Sequence, residues 1–203
     1  MKGLILKDLL NLKKQASIII VMVVFYFVLS VTSKNYGMFN AIILILFAML
    51  PITAISFDER ANWDKYGLTM PVSRADMVIS KYILGFLLVL VALCINIFGQ
   101  LLMGTKMNQE TLTVAYFIFG LALLFMALLL PIMFKFGVEK GRMIMFIVFL
   151  MPTAVVFLAP KIIKTPISEE LIMKCFYYLP LVFILLFILS LFVSIQIYKN
   201  KEF

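Results

Sequence analysis

Long apolar runs alternate with short polar connections along the chain, and six of the runs are long enough to cross a bilayer. An α-helix needs about 20 apolar residues to span roughly 30 Å of hydrocarbon. Each run has about that length and contains no Asp, Glu, Lys or Arg. The pattern predicts an all-α integral membrane protein with six transmembrane helices. The runs are Ala16–Ser33, Gly37–Ser56, Tyr82–Met103, Leu112–Phe134, Met143–Pro160 and Cys175–Tyr198.

The composition indicates that the protein lies in a membrane and that it forms a single domain. The 203 residues are 65% hydrophobic and 14% charged, with a mean hydropathy of +1.13. A soluble domain keeps a polar surface around one core and cannot carry so many apolar side chains. Because the six spans use most of the chain, we predict one transmembrane domain over residues 1–203, with the third span extended to residues 77–103.

The basic residues predict the orientation, because they stay preferentially on the cytoplasmic side during insertion. With six spans both termini share one side, and that side holds 13 of the 18 Lys and Arg residues. We therefore predict a multi-pass protein of the bacterial cell (plasma) membrane with both termini in the cytoplasm. Insertion and contact with anionic membrane lipid account for the net charge of +8, so no nucleic-acid partner is expected.

Two segments outside the spans have helical features of their own. Leucines recur at helical spacing in residues 1–15, which predicts an amphipathic helix lying in the headgroup layer. The alternative is a basic flank that only orients the first span. In residues 161–174, Ser168 precedes two glutamates and resembles a helix N-cap, which predicts a short external helix before the last span. An amphipathic linker is the alternative there.

The sequence excludes several classes of chemistry. It has no His, and it lacks the GxxxxGK[ST] pattern with which a P-loop binds phosphate. Neither a Ser-His catalytic pair nor a His-bearing metal site can form, and no catalytic or metal-binding residue is predicted. The apolar runs also lack the acids with which proton-coupled carriers bind ions inside the membrane. The chain is not expected to be an enzyme, and any energy for transport must come from another protein.

Uncharged polar side chains inside the spans are candidates for a substrate path. Asn96 and Gln100 are four residues apart and share one face of the third span, while Asn40 lies in the second span. The alternative is hydrogen bonding between helices, worth about 0.6 kcal/mol per contact. The sequence does not decide between a substrate path and interhelical hydrogen bonding for these side chains. The many Phe and Met side chains would suit a hydrophobic cargo.

The charged connection between the second and third spans predicts a compact helix followed by a tight elbow. Phe57–Tyr66 can form a helix, and Gly67 is well placed to end it. Leu68–Pro71 is expected to be extended, because the residue before a proline disfavours the helical conformation. Ser73 and Asp76 have the spacing of a capping box at the start of the third span.

Side-chain spacing in this connection predicts contacts and an exposed surface. Glu59 and Trp63 are four residues apart, as are Arg60 and Asp64, so that each pair can interact on a helix. Exposed aromatic side chains among charges are typical of a protein contact. An anchor in the headgroup layer is the alternative, since Trp and Tyr are also favoured there. The side chains expected to be exposed are Trp63, Tyr66 and Met70.

The same connection resembles the signature of a known transporter family. An acidic stretch that begins at Asp58 leads to Leu68-Thr69-Met70-Pro71-Val72-Ser73-Arg74 and then to Lys81-Tyr82 at the third span. This order is similar to that of small type-2 ABC permeases, with Met70 where the family usually has Leu. The nearest relatives are permeases that export amphipathic peptides, such as phenol-soluble modulins, and those that confer resistance to peptide antibiotics.

The resemblance implies partners and a mechanism. In that family the connection is a coupling helix that sits in a cleft of a separate ATPase, and the amino-terminal helix is an elbow helix. Two ATPase subunits, which bind ATP and Mg, would pair with two permease chains, identical or paralogous. The complex would export an amphipathic or hydrophobic substrate, with a peptide favoured, by alternating access. The coupling residues implied are Asp58, Glu59, Arg60, Trp63, Asp64, Lys65, Tyr66, Met70, Pro71, Ser73 and Arg74.

Two points remain open after the resemblance. The chain itself is expected to bind no cofactor, because nucleotide and metal belong to the ATPase. An ATP-independent membrane scaffold or sensor subunit is the alternative function, since the same spans and the same exposed connection would serve it.

Overall fold

The computed structural model is predominantly helical over the residues that it describes, which are 2–33, 36–67, 69–104, 108–162 and 169–201. No strand occurs within these ranges, so the predicted all-α class is confirmed. In chain order the helices are α1 (Lys2–Lys13), α2 (Ala16–Ser33), α3 (Tyr36–Ala48), α4 (Leu50–Arg60), α5 (Trp63–Gly67), α6 (Arg74–Leu102), α7 (Gln109–Ile162) and α8 (Glu169–Lys199).

Within the described ranges, five helical stretches are long and apolar enough to cross a membrane. The chain is therefore a multi-pass membrane protein. The second stretch combines α3 and α4, which meet at Met49, and Pro51 lies in the first turn of α4, where its missing N–H has no helical partner to lose. The five stretches are Ala16–Ser33, Gly37–Arg60, Arg74–Leu102, Thr111–Ile147 and Tyr177–Lys199.

Helix α7 covers the predicted fourth and fifth spans and is broken between them. Its 54 residues would extend about 80 Å if straight, far more than a bilayer core. Gly137 interrupts the helix with φ 79° and ψ 172°, and it separates α7a (residues 109–136) from α7b (residues 138–162). The sequence predicted two helices joined by a short basic loop. The count of six spans stays a prediction.

The core lies between α3, α6 and α7. Ile43, Leu84 and Leu130, one from each helix, are fully buried. Helix α8 packs along α7 and approaches it closely at Gly120, where a Cβ atom would lie 2.8 Å from Cβ of Pro180. The absent side chain at Gly120 thus lets a proline-containing helix pack directly on the α7 backbone.

Two helices stand apart from this core in different ways. Ser30 is the one fully buried residue of α2, and only Ile19, Val23, Tyr26 and Phe27 pack partly against the core, so in a bilayer its many exposed apolar side chains face lipid or another chain. Helix α1 is the predicted amino-terminal helix, and it packs Leu4, Asp8 and Leu12 against α4 and α6. Its remaining leucines stay exposed, which leaves an apolar stripe on the outer surface: Leu6, Leu9 and Leu10.

The segment before the last span differs from the prediction. Ser168 lies outside the described residues, so its capping role stays a prediction. Helix α8 begins at Glu169 and runs without a break to Lys199. Within the described part of the chain, residues 169–174 are therefore the first turns of the last helix, and a separate short helix is not seen there. Acidic residues in a first turn favour this start, because they complement the helix dipole.

Candidate functional site

In the α4–α6 connection (residues 58–76), the last turn of α4 and the short helix α5 take the place of the single helix that the sequence predicted. Helix α4 ends at Arg60, and Asn62 adopts a left-handed conformation with φ 48°. Asparagine tolerates this region better than most residues, and the chain can restart as α5 at Trp63. The predicted continuous helix over Phe57–Tyr66 is therefore wrong, because the chain reverses at Asn62.

Gly67 has a packing role in this connection. It is the last residue of α5, it is buried, and its φ is not positive, so it does not end the helix as a left-handed residue. A Cβ atom there would lie 2.1 Å from Cε of Met77, so only glycine allows this approach without moving Met77. Thr69 and Met70 donate their backbone N–H groups to Tyr66 and Gly67, which makes a turn where an extended stretch was predicted.

The capping box at the start of α6 is confirmed. The backbone N–H of Asp76 donates to Oγ of Ser73 at 3.0 Å, and the backbone N–H of Ser73 donates to Oδ2 of Asp76 at 3.2 Å. Two N–H groups that no helical carbonyl can reach are thereby satisfied. This local motif fixes where the third span begins.

A buried charge cluster joins the connection to α1 and α6. Nζ of Lys81 lies 2.7 Å from Oδ1 of Asp8 and 2.5 Å from Oδ2 of Asp58. Nζ of Lys7 lies 2.6 Å from Oδ1 of Asp58 and 3.2 Å from Oδ1 of Asp8. The four formal charges cancel, and three of the side chains are almost completely buried. Removing one partner would leave an uncompensated buried charge.

Trp63 faces inward and is not the exposed side chain that the sequence predicted. Its ring lies under Lys7, with 4.3 Å between Nζ and the ring centroid, and it packs against the hydrophobic core. The turn at Asn62 redirects α5 so that Trp63 points toward α1. Its contacts are therefore intramolecular, with a cation–π component.

The other charged residues of the connection reach distant helices. Oε2 of Glu59 accepts a hydrogen bond from the backbone N–H of Val138 at 2.7 Å. Oδ1 of Asp64 accepts one from the hydroxyl of Tyr198 at 2.8 Å. The predicted pairs within one helix are thus replaced by contacts to α7b and α8. Nη1 of Arg74 also donates to two backbone carbonyls at the end of α8, that of its last residue Lys199 at 2.6 Å and that of Lys201 at 3.0 Å.

The opposite side of the connection remains open to solvent. Tyr66 is 64% exposed and Met70 is 48% exposed, as the sequence predicted. The polar and cyclic side chains around them are exposed too, namely Arg60, Lys65, Pro71 and Ser73. The connection therefore has an inner side that contacts four helices and an outer side that has no contact within the chain's core.

The candidate substrate-path residues lie elsewhere. Asn40, Asn96 and Gln100 are all buried toward the end of the bundle at which α3 begins and α6 ends. They do not touch the α4–α6 connection, and their role in a path stays a prediction. In the described ranges no group of His, Cys, Asp or Glu could hold a metal ion.

Three residues around the inner side of the connection were not singled out from the sequence: Lys7, Asp8 and Gly137. Lys81 was named only as part of the family signature. Asp8 carried a signal, because it lies between Leu4 and Leu12 at helical spacing and is the one acid on an otherwise apolar stripe. An acid in such a stripe needs a buried cation. The sequence alone does not identify the cation that pairs with the carboxylate of Asp8.

A family comparison agrees with this architecture. The model of a family described as "ABC-2 family transporter protein" matches residues 3–199. No curated protein and no solved structure matches the chain. The matched region includes α1, the α4–α6 connection and the five membrane-length stretches. The chain therefore belongs to the ABC-2 family of transporter proteins, the membrane subunits of type-2 ABC transporters.

Proposed function

We propose that this chain is the permease subunit of an ABC exporter that moves an amphipathic or hydrophobic substrate out of the cell. A separate ATPase subunit supplies the energy, and the cargo we favour is a peptide. The protein has six spans, with α7a and α7b as the fourth and fifth, and both termini lie in the cytoplasm. Membership of the ABC-2 family and the placement of the basic residues support this proposal.

The observation that carries the proposal is the two-sided α4–α6 connection. Tyr66 and Met70 are exposed on its outer side, where an ATPase can bind them. On its inner side, Asp58, Glu59 and Asp64 contact α1, α6, α7b and α8. A force applied to the outer side therefore reaches four helices through short polar contacts.

This arrangement divides the coupling residues into two groups. The exposed group binds the ATPase: Arg60, Lys65, Tyr66, Met70, Pro71 and Ser73. The inward group transmits the movement: Asp58, Glu59, Trp63, Asp64 and Arg74. Alternating access then consists of a rigid shift of the connection, with α1 as the elbow helix moving alongside because the charge cluster joins them.

The complex contains two ATPase subunits, which bind ATP and Mg, and two permease chains. The second permease chain is identical or paralogous, and it covers part of the apolar surface that this chain exposes, with membrane lipid covering the rest. The cargo is amphipathic or hydrophobic because Phe and Met side chains form adaptable apolar walls.

Reconstitution tests the proposal. In proteoliposomes that hold this chain and its ATPase, ATP should drive transport of a fluorescent amphipathic peptide without an ion gradient. A substitution of the Walker-A lysine in the ATPase should abolish transport. Transport that persists in that variant and follows a pH gradient would contradict the assignment. Stable binding of the ATPase without any transport would favour the scaffold or sensor function.

A further inference from the structure

The end of the bundle opposite the α4–α6 connection holds a second group of buried polar residues. Helix α2 ends there at Ser33, α3 begins at Tyr36 and α6 ends at Leu102. Each of the three helices turns a polar side chain into the interior close to that end. These side chains are at most 4% exposed, and we call them the distal seam: Ser30, Asn40, Asn96 and Gln100.

Two amides of the distal seam, those of Asn40 and Asn96, have buried atoms without hydrogen bonds. Asn96 is 1% exposed, and within the described structure neither its Nδ2 nor its Oδ1 has a partner. Oδ1 of Asn40, on the facing helix α3, also has none. A buried amide without a partner is strongly unfavourable in an apolar interior. The side chain of Asn96 therefore makes no hydrogen bond between helices in this packing.

An aromatic pair closes the helices over these amides. The rings of Phe27 on α2 and Phe39 on α3 meet edge to face, with 5.7 Å between centroids. Both rings lie against Gly99 of α6, where a Cβ atom would be 2.9 Å from Cε1 of Phe39 and 3.7 Å from Cε2 of Phe27. Gly99 lies three residues after Asn96, so the aromatic contact and the unpaired amide belong to the same closed seam.

Helix α2 is suited to moving away from α6, whereas α3 belongs to the core with α6 and α7. Only 6% of α2 is buried, and its neighbours within the chain are α1 and α3. Moving Phe27 away from Phe39 and Gly99 would also disturb the partly buried Ile19, Val23 and Tyr26 of α2. The separation would expose the unpaired atoms of Asn40 and Asn96, which offsets part of its cost.

We propose that the distal seam is a gated binding site for amide groups of the exported peptide. The inference rests on the proposed export function and deepens it by naming the contact that the cargo makes. A side-chain amide donates and accepts at once, which matches the N–H and C=O of a peptide bond. Carboxylate or ammonium groups fit poorly, because the seam offers buried neutral side chains and no opposite charge among its four members.

Substitution of Asn96 by an apolar residue tests whether its amide serves to bind the peptide or to pack the helices. In the reconstituted complex, Asn96→Leu should reduce ATP-driven transport of a fluorescent amphipathic peptide at least tenfold. It should also raise the melting temperature, because an unpaired buried amide is removed. Gln196→Leu is the matched control, since that amide lies exposed on α8 and should not affect transport. Asn40→Leu gives a second variant on the facing helix.

Thiol labelling tests the movement itself. In a Cys94→Ser, Cys175→Ser background, Ser30→Cys should react with a membrane-impermeant reagent during ATP turnover and stay protected without ATP. Wild-type protein that fails to transport at all would refute the proposed function. If the wild type transports, two results would each overturn the proposal that the distal seam is a gated binding site. One is unchanged transport by both leucine variants, and the other is protection of Ser30→Cys during turnover.

Discussion

The carboxylate of Glu59 accepts a hydrogen bond from the backbone N–H of Val138, immediately after the break in α7 at Gly137. The first N–H groups of a helix have no partner inside the helix, and a carboxylate there also complements the helix dipole. Glu59 therefore caps α7b from a different helix. In the proposed mechanism, this bond would link a displacement of α4 directly to α7b.

Gly137→Ala should destabilise the permease by roughly 1–3 kcal/mol. The residue has φ 79° and ψ 172°, a conformation that is nearly restricted to glycine. A Cβ atom would also lie 2.7 Å from Oε1 of Glu59, so the capping carboxylate would have to move. Thermal denaturation in detergent would measure the loss.

Gly3→Ala is the matched control for that variant. Gly3 lies in helix α1 and a Cβ atom there meets nothing within 4 Å. Alanine favours a helix over glycine by up to about 1 kcal/mol, so this variant should melt at or above the temperature of the wild type. A Gly137→Ala protein as stable as the Gly3→Ala protein would contradict the capped break.

Lys81→Met should cost about 3–5 kcal/mol of stability, the range observed when one member of a buried ion pair is removed. The variant leaves Asp8 and Asp58 facing each other with only Lys7 between them. Lys65→Met removes the same charge from an exposed site and should change stability by no more than about 0.5 kcal/mol. Equal melting temperatures of the two variants would show that the cluster contributes nothing.

Tyr66→Ala combined with Met70→Ala should weaken binding of the ATPase while the permease stays folded. Truncation of exposed anchor side chains at an interface often costs about 2 kcal/mol each. Co-purification and ATPase titration would measure the loss. Phe98→Ala with Leu102→Ala removes exposed apolar side chains from the opposite end of α6 and should leave ATPase affinity unchanged.

Trp63→Ala should behave differently from the Tyr66 variant. Because Trp63 is packed against Lys7 and the core, its loss should lower the melting temperature of the isolated permease. ATPase affinity, measured at a temperature where the variant is folded, should fall less than in the double variant. Loss of affinity without loss of stability would instead place Trp63 in direct contact with the ATPase.

The orientation is tested by single cysteines on the two exposed connections. In the Cys94→Ser, Cys175→Ser background, Asn108→Cys should react with an impermeant thiol reagent on intact cells, and Lys65→Cys should not. Both positions are exposed, so accessibility in the protein does not limit the reaction. The reverse pattern would invert the topology and remove the α4–α6 connection from the ATPase side.

The features that could be predicted from the sequence are those that depend on the spacing of nearby residues. The apolar runs, α1 and the Ser73–Asp76 capping box all rest on residues close together in the chain, and the structure contains them. Partners across the bundle were not predictable. Glu59 was paired with Trp63 and Asp64 with Arg60, but both acids bond residues more than 70 positions away. Spacing cannot identify such partners, because they depend on how the helices pack.

The polar contacts of the connection span unusually long stretches of chain. They join residues 51, 79, 127 and 134 positions apart, from α1 to Lys201 after α8. The surface offered to the ATPase can therefore be completed only after residue 201 has been synthesised and the last helix has inserted. A ribosome-bound or prematurely terminated chain would lack the bonds from Tyr198 and Lys199, and so would recruit ATPase poorly. The same contacts would thereby make recruitment of the ATPase depend on insertion of the last helix.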